Sequence, residues 1–266
     1  MLITLLTDFG SQSPYVAMLK GLALRSAPTV QIIDISHAVQ PGNSQEGQFL
    51  LNYCCPTFPA HAVHLAVVDP GVGTGRRALA IQTAAGFFVG PDNGIFTCMQ
   101  ERATAIHEIS NPAIISPTPA PTFHGRDIFL PAALHLAADR PIGELGPPVG
   151  PAALISTPLP EPVVNDRSIH GTVIYGDHFG NLITNITCAS VTSSPRFHCR
   201  FGDWHTNTLT STYGMVQPQT TILTCSSFGL LEIAVNGGSA AERFRIDRHC
   251  PTDCPITIQF DTTPGR

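Results

Sequence analysis

Val63-His64-Leu65-Ala66-Val67-Val68, followed at once by Asp69-Pro70-Gly71-Val72-Gly73-Thr74-Gly75-Arg76, is the stretch on which the fold turns. The first six residues are mostly apolar and rich in branched side chains, without the alternation of a half-exposed strand. A strand of that kind has both faces covered, as in a parallel sheet layered by helices. The acid comes directly after it, among Pro and Gly residues that turn the chain.

Outward from that strand the same alternation repeats. Upstream, Leu2–Leu6 is a short apolar strand, Pro14 opens a helical stretch through Leu24, and Val30–Ile35 reads as a second strand. Asn43 and Ser44 can cap a helix running to Cys55, with Glu46 in its first turn. Downstream, Leu79–Gln82 and Phe87–Val89 read as strands and Asp127–Ala138 as an apolar-rich helix. The expectation is an α/β N-terminal domain over residues 1–150 with a largely parallel sheet. From Pro141 the composition shifts, and Pro147, Pro148, Pro151, Pro158, Pro160 and Pro162 mark a semi-rigid linker placed at 151–167. Gly171–Ile186, Phe197–Phe201, Thr220–Ser226, Gly229–Val235 and Ile256–Phe260 then read as strands between turns, so residues 168–266 form a smaller, all-β, barrel-like domain.

Bulk properties narrow the function class. The 266 residues are 43% hydrophobic and 12% charged, enough for a sizeable core with few long solvated tails. A net charge of −5, with no Lys/Arg run, leaves no electrostatic footprint for nucleic acid or a membrane surface. The N-terminus lacks a basic region and a cleavage site, and no apolar run approaches the roughly 18 residues of a membrane span. A soluble, cytoplasmic protein is expected. The 8 cysteines are read as reduced and structural; Cys250/Cys254 beside His249 lacks the spacing of a zinc ribbon.

In an open α/β sheet, ligands bind beyond the carboxyl ends of the strands. Polar residues cluster there: Asp8 in Thr7-Asp8-Phe9-Gly10, Asp34 and His37, Asp69, Asp92 and Asn93 in Gly90-Pro91-Asp92-Asn93-Gly94, then Phe123-His124-Gly125-Arg126-Asp127 ahead of a helix. Any one alone is an ordinary turn, and Asp127 could simply cap its helix. Several on one sheet edge point to a ligand site. Kinase-like fragments at Asp8-Phe9-Gly10 and His124–Asp127 occur in the wrong order, without a strand lysine, and Gly71–Gly75 lacks the lysine of a phosphate loop. In the β-rich half, Asp177-His178-Phe179-Gly180-Asn181-Leu182 could hold a flat heterocycle by edge hydrogen bonds and stacking; a hairpin turn with a buried Phe explains the spacing equally well. Glu232, inside an apolar strand, must face solvent or find a partner.

Taken together these segments, with Ser227-Phe228-Gly229 through Asn236, resemble the S-adenosyl-L-methionine hydroxide adenosyltransferase family, relatives of the fluorinating and chlorinating enzymes. The resemblance implies an α/β domain, a β-barrel domain and a homotrimer holding its small-molecule substrate between subunits, with no cofactor, metal, nucleic acid or membrane. It implies a water-activating triad at Asp69, Arg76 and His124, with Asp8 on the ribose hydroxyls. Asp177, Phe179, Asn181, Ser227, Phe228, Glu232 and the backbone at Val235 and Asn236 would hold the adenine and methionine ends. The position that often carries an acid shortly after Asp-Phe-Gly is Ser13 here. The implied reaction is hydrolysis of S-adenosylmethionine to adenosine and methionine. The rivals are halide transfer, a metal-dependent phosphohydrolase using Asp8, Asp69, Asp92, His124 and His178, and a non-catalytic adenosine sensor.

Overall fold

Strand β1 (Leu2–Thr7) is buried along its whole length. After it come α1 (Tyr15–Ser26), β2 (Gln31–Ser36), α2 (Ser44–Cys54), β3 (Val63–Val67), β4 (Ala78–Thr83), β5 (Gly86–Pro91), β6 (Ala103–Glu108) and α3 (Leu130–Ala137). These coordinates are a computed structural model that describes residues 1–193, 196–248, 251 and 254–261. By internal contacts the chain divides into two units, Met1–Pro158 and the part from Leu159 onward.

The first unit carries a six-stranded sheet in the order β2-β1-β3-β5-β4-β6. Strands β2, β1, β3 and β5 run parallel, and β4 pairs antiparallel with both β5 and β6. Along β3 the side chains alternate between two cores. Val63, Leu65 and Val67 pack with Leu19, Ala23, Phe129, Leu130 and Leu136. Ala66 and Val68, on the other face, join Leu6, Leu51, Ile81, Phe88 and Ile95. Every residue of β3 is buried, which is why its sequence shows no alternation. Asn43 caps α2 by accepting from the Glu46 amide, as expected from sequence.

Strand β6 and the start of the last helix of the first unit differ from the expectation. Strand β6 went unrecognised because most of its residues are half-exposed and its pattern is weak. The helical segment begins two residues early, with a π turn over Gly125–Phe129. Asp127 does not cap it; its carboxylate accepts from the Ala120 amide and pairs with Arg126. Residues of the expected linker are tied to the first unit, the Ile155 amide donating to Asp92 and the Thr157 carbonyl accepting from Gln48.

The second unit contains β7 (Val163–Val164), β8 (Ser168–Gly176), β9 (Leu182–Thr187), α4 (Cys188–Thr192), β10 (Phe197–Phe201), β11 (Trp204–Thr206), β12 (Thr221–Cys225), β13 (Leu230–Val235), α5 (Ala240–Phe244) and β14 (Pro255–Phe260). An eight-stranded antiparallel sheet runs β11-β10-β14-β8-β9-β13-β12, with β7 added on β8. It curls around a core of Ile169, Val173, Leu182, Phe201, Leu223, Ile233 and Ile256. A bridge between Leu209 and Leu223 nearly closes it into a barrel.

The cysteine reading needs correction. Cys188 and Cys225 form a disulfide between the start of α4 and the end of β12, with Cα atoms 5.8 Å apart. Cys225 looked like a small hydrophobe because its neighbours are apolar, but β12 ends exposed there, beside α4. Cys54, Cys55, Cys98 and Cys199 are free thiols. His249 and Cys250 lie outside the described residues. Among the described residues, no helix is long and apolar enough to cross a membrane.

Candidate active site

The chain steps outward from β1 to β2, then returns to lay β3 on the opposite side of β1. That reversal makes the carboxyl ends of β1 and β3 the switch point, where an open parallel sheet leaves a crevice. Asp8 follows β1 and Asp69 follows β3, so topology alone sets two acids at its rim.

Asp69 is held by Arg76 from its own loop. The guanidinium donates from Nε to Oδ1 at 2.9 Å and to Oδ2 at 3.1 Å, and from Nη2 to Oδ2 at 2.5 Å. Both side chains are almost fully buried, at 8% exposure for Arg76 and 3% for Asp69. The guanidinium also lies over the Phe129 ring, 5.0 Å from its centroid. Removing one partner of such a pair strands the other charge, at a cost of about 3–5 kcal/mol. Arg76 Nη2 meets His124 Nδ1 at 2.8 Å. Arginine only donates, so Nδ1 accepts, and the neutral ring carries its proton on Nε2. Burial, then the Arg76 charge, holds the His124 pKa below its usual value and keeps this tautomer.

The two loops that supply these groups are locked together at Gly73. Its φ is +77°, and a Cβ there would sit 2.4 Å from the Pro121 carbonyl oxygen, three residues ahead of His124. Only glycine fits this approach. Asp8 completes the rim: its Oδ2 accepts from the Gly42 amide at 2.9 Å. Burial first, with the Asp69 charge adding to it, raises its pKa. Phe9, Tyr15 and Phe123 form a set of edge-to-face rings beside it, and Ser13 donates to the Phe9 carbonyl.

The remaining strand-end acids have structural partners. Asp92 is paired with Arg77 and accepts from the Ile155 amide, and Asn93 donates to the Val68 carbonyl. Asp34 pairs with Lys20 and His37. Among the described residues, no three His, Cys, Asp or Glu side chains gather as a metal site would require.

On the second unit, the β8–β9 turn brings Asp177, Phe179 and Asn181 together. Asp177 accepts from the Asn181 amide at 2.8 Å and from its side-chain Nδ2 at 2.9 Å. Phe179 is not the buried Phe of an ordinary hairpin; it is 74% exposed. Glu232, only 4% exposed, finds the partner its position demanded in Tyr213, whose hydroxyl donates at 2.6 Å. Burial and the nearby Asp177 raise the Glu232 pKa, against the Tyr213 bond that lowers it. Phe228, in the β12–β13 turn after Ser227, meets Tyr175 edge-on at 6.5 Å. Val235 is buried in the barrel core, so it can offer a ligand only its backbone, while Asn236 donates to the Val216 carbonyl. Sequence reasoning missed Tyr213, Phe129 and Gly42. Each acts through a long-range contact that leaves no local motif.

A family model described as the SAM hydroxide adenosyltransferase N-terminal domain matches residues 3–146, and that of the C-terminal domain matches residues 171–251. An (R)-S-adenosyl-L-methionine hydrolase of Salinispora arenicola is 38% identical over 255 residues, covering 90% of this chain and 92% of that protein. A fluorinase of Actinoplanes is 30% identical over 212 residues, covering 70% of this chain and 71% of the other. The crystal structure of a conserved protein from Thermotoga maritima superposes with a TM-score of 0.88 at 33% identity, covering 97% of this chain and all of that one.

Proposed function

The chain belongs to the SAM hydroxide adenosyltransferase family, and on that premise we propose that it hydrolyses S-adenosyl-L-methionine to adenosine and methionine. The observation that carries the reading is the contact chain Asp69–Arg76–His124 at the sheet's switch point.

The sulfonium leaves as a neutral thioether, so no general acid is needed. Water is the weak partner: it must be held in line with the ribose 5′-carbon and lose a proton as it attacks. With Nδ1 occupied by Arg76, His124 has only its Nε2–H to offer, so it donates to the water and orients it. Arg76 favours hydroxide character through its fixed charge. Asp69 Oδ1 accepts only one guanidinium bond, which leaves it a lone pair for the water's proton. Assistance of this kind is worth roughly 10²–10⁴-fold.

Asp8 holds the ribose hydroxyls as an acceptor. The exposed Phe179 ring stacks on adenine, with Asp177, Asn181 and the backbone at Val235 and Asn236 reading its edge. Ser227, Phe228 and Glu232 serve the methionine end, where the Glu232 carboxylate favours the substrate's ammonium. The protein works without metal or cofactor, as a cytoplasmic homotrimer that holds substrate between subunits.

The test is chromatography of purified protein incubated with S-adenosylmethionine, with and without chelator and chloride. Stoichiometric adenosine and methionine, indifferent to both additions, support hydrolysis. A chlorinated nucleoside would favour halide transfer, chelator inhibition the metal reading, and intact substrate the sensor. Asp69→Asn, which keeps the side chain's shape, is expected to lower turnover at least about a hundredfold with substrate affinity within a few fold. Lost affinity instead would make Asp69 a binding residue.

A further inference from the structure

We propose that His37 is a positioning residue for the ribose-binding carboxylate of Asp8, acting through Thr7 and the loop that follows β1. The proposal rests on the reading of Asp8 given above.

Asp8 sits in the short loop leaving β1, and residue 37 grips that loop on both sides of it. On one side, Thr7 Oγ1 lies 2.8 Å from His37 Nδ1 and also accepts from the Phe9 amide at 3.3 Å. On the other, the Gly10 amide donates to the His37 carbonyl at 2.8 Å. Gly10 has a φ of +71°, so the loop bends sharply at that bond. The segment after His37 then reaches Gly42, whose amide fixes the Asp8 carboxylate itself. Residues 7 and 10 and the side chain of residue 8 are therefore tied directly, and residue 9 through Thr7, to the six residues His37–Gly42 beyond β2.

The His37 ring is in turn oriented from outside. Its Nε2 lies 3.1 Å from Asp34 Oδ1, off the line of a straight hydrogen bond, and Asp34 Oδ2 is held by Lys20 Nζ at 2.5 Å. Burial pulls the Asp34 pKa upward, but the Lys20 bond and the nearby His37 ring outweigh it and lower it. The result is a relay of Lys20, Asp34, His37 and Thr7 ending on the backbone around Asp8. Thr7 is fully buried, so it cannot touch substrate. Its hydroxyl is one of two on a strand of otherwise aliphatic residues, Thr4 being the other, and the relay gives it a purpose.

A carboxylate that binds a vicinal diol must present its oxygens within a few tenths of an ångström to gain both hydrogen bonds. Loosening the loop should weaken ribose recognition specifically, without changing the water-activating triad.

The experiment compares kcat/KM for S-adenosylmethionine and its 2′-deoxyribose analogue in His37→Ala, His37→Asn, Thr7→Val and Asp8→Asn, each checked for folding by thermal melting. The expected result is that His37→Ala and Thr7→Val shrink the preference for the ribose substrate about tenfold, chiefly through KM, the scale of one hydrogen bond to a charged acceptor. His37→Asn, whose amide oxygen can replace Nδ1 opposite Thr7, should restore much of it. Equal losses for both substrates, or an unchanged preference in a folded Thr7→Val protein, would overturn the positioning role. An unchanged preference in Asp8→Asn would instead remove the ribose reading of Asp8, and the proposal with it.

Discussion

The Arg76 guanidinium serves two neighbours of opposite character, the carboxylate of Asp69 and the ring of His124. The consequence is a pH dependence of definite sign. Protonating His124 would set a second cation against Arg76 and destroy the Nδ1 acceptor, so the neutral ring is the competent form. Because burial and Arg76 lower its pKa, activity should persist below pH 6.5, the ordinary imidazole value, and fail only further into acid. A kcat/KM profile checks this; an acid limb centred above pH 6.5 contradicts it. At this scale the sequence was informative wherever a candidate side chain sits beside glycine in a turn, as Asp8 and Asp69 do at strand ends and His124 does ahead of a helical segment. It was silent about Tyr213, which reaches Glu232 across 19 residues from a loop with no pattern of its own. Asp92 shows the opposite failure: its turn resembles the others, but Arg77 and the Ile155 amide occupy it structurally.

Among the elements, β3 was the most legible because burial on both faces removes polar residues from it, and it still contains His64. That ring is fully buried, with Nδ1 2.8 Å from Thr4 Oγ1 and its face 4.9 Å from Phe88. Burial pushes its pKa down to about 4. The unfolded chain would take up a proton near pH 6.5 while the native state does not, so stability falls as pH drops from 6.5 toward 4 and levels off below. The contribution is on the order of 3 kcal/mol. Denaturant titrations across that window should show a slope that His64→Leu flattens; an identical slope in the variant would remove His64 as its source. Strand β6 and the π turn before α3 escaped sequence reading for related reasons. The first is too exposed to look like a strand, and the second turns on a ring closure five residues long that side-chain spacing does not encode.

For the molecule as a whole, two units of different architecture divide the expected chemistry, with water activation on the parallel sheet and recognition of the substrate's ends on the antiparallel one. Cys188–Cys225 closes a 37-residue separation within the second unit and holds α4 to the end of β12, just before Ser227 and Phe228. By the chain-entropy account such a loop is worth up to about 4 kcal/mol, so a reducing agent should lower the denaturation midpoint. An unchanged midpoint, with both thiols titratable before reduction, would contradict the bond. In the proposed reaction, water attacks the ribose 5′-carbon. Turnover of S-adenosylmethionine in ¹⁸O-labelled water, read by mass spectrometry of both products, tests it most directly. One heavy oxygen is expected in the 5′-hydroxyl of adenosine and none in methionine. Adenosine without the label, or label in the methionine fragment, would contradict it.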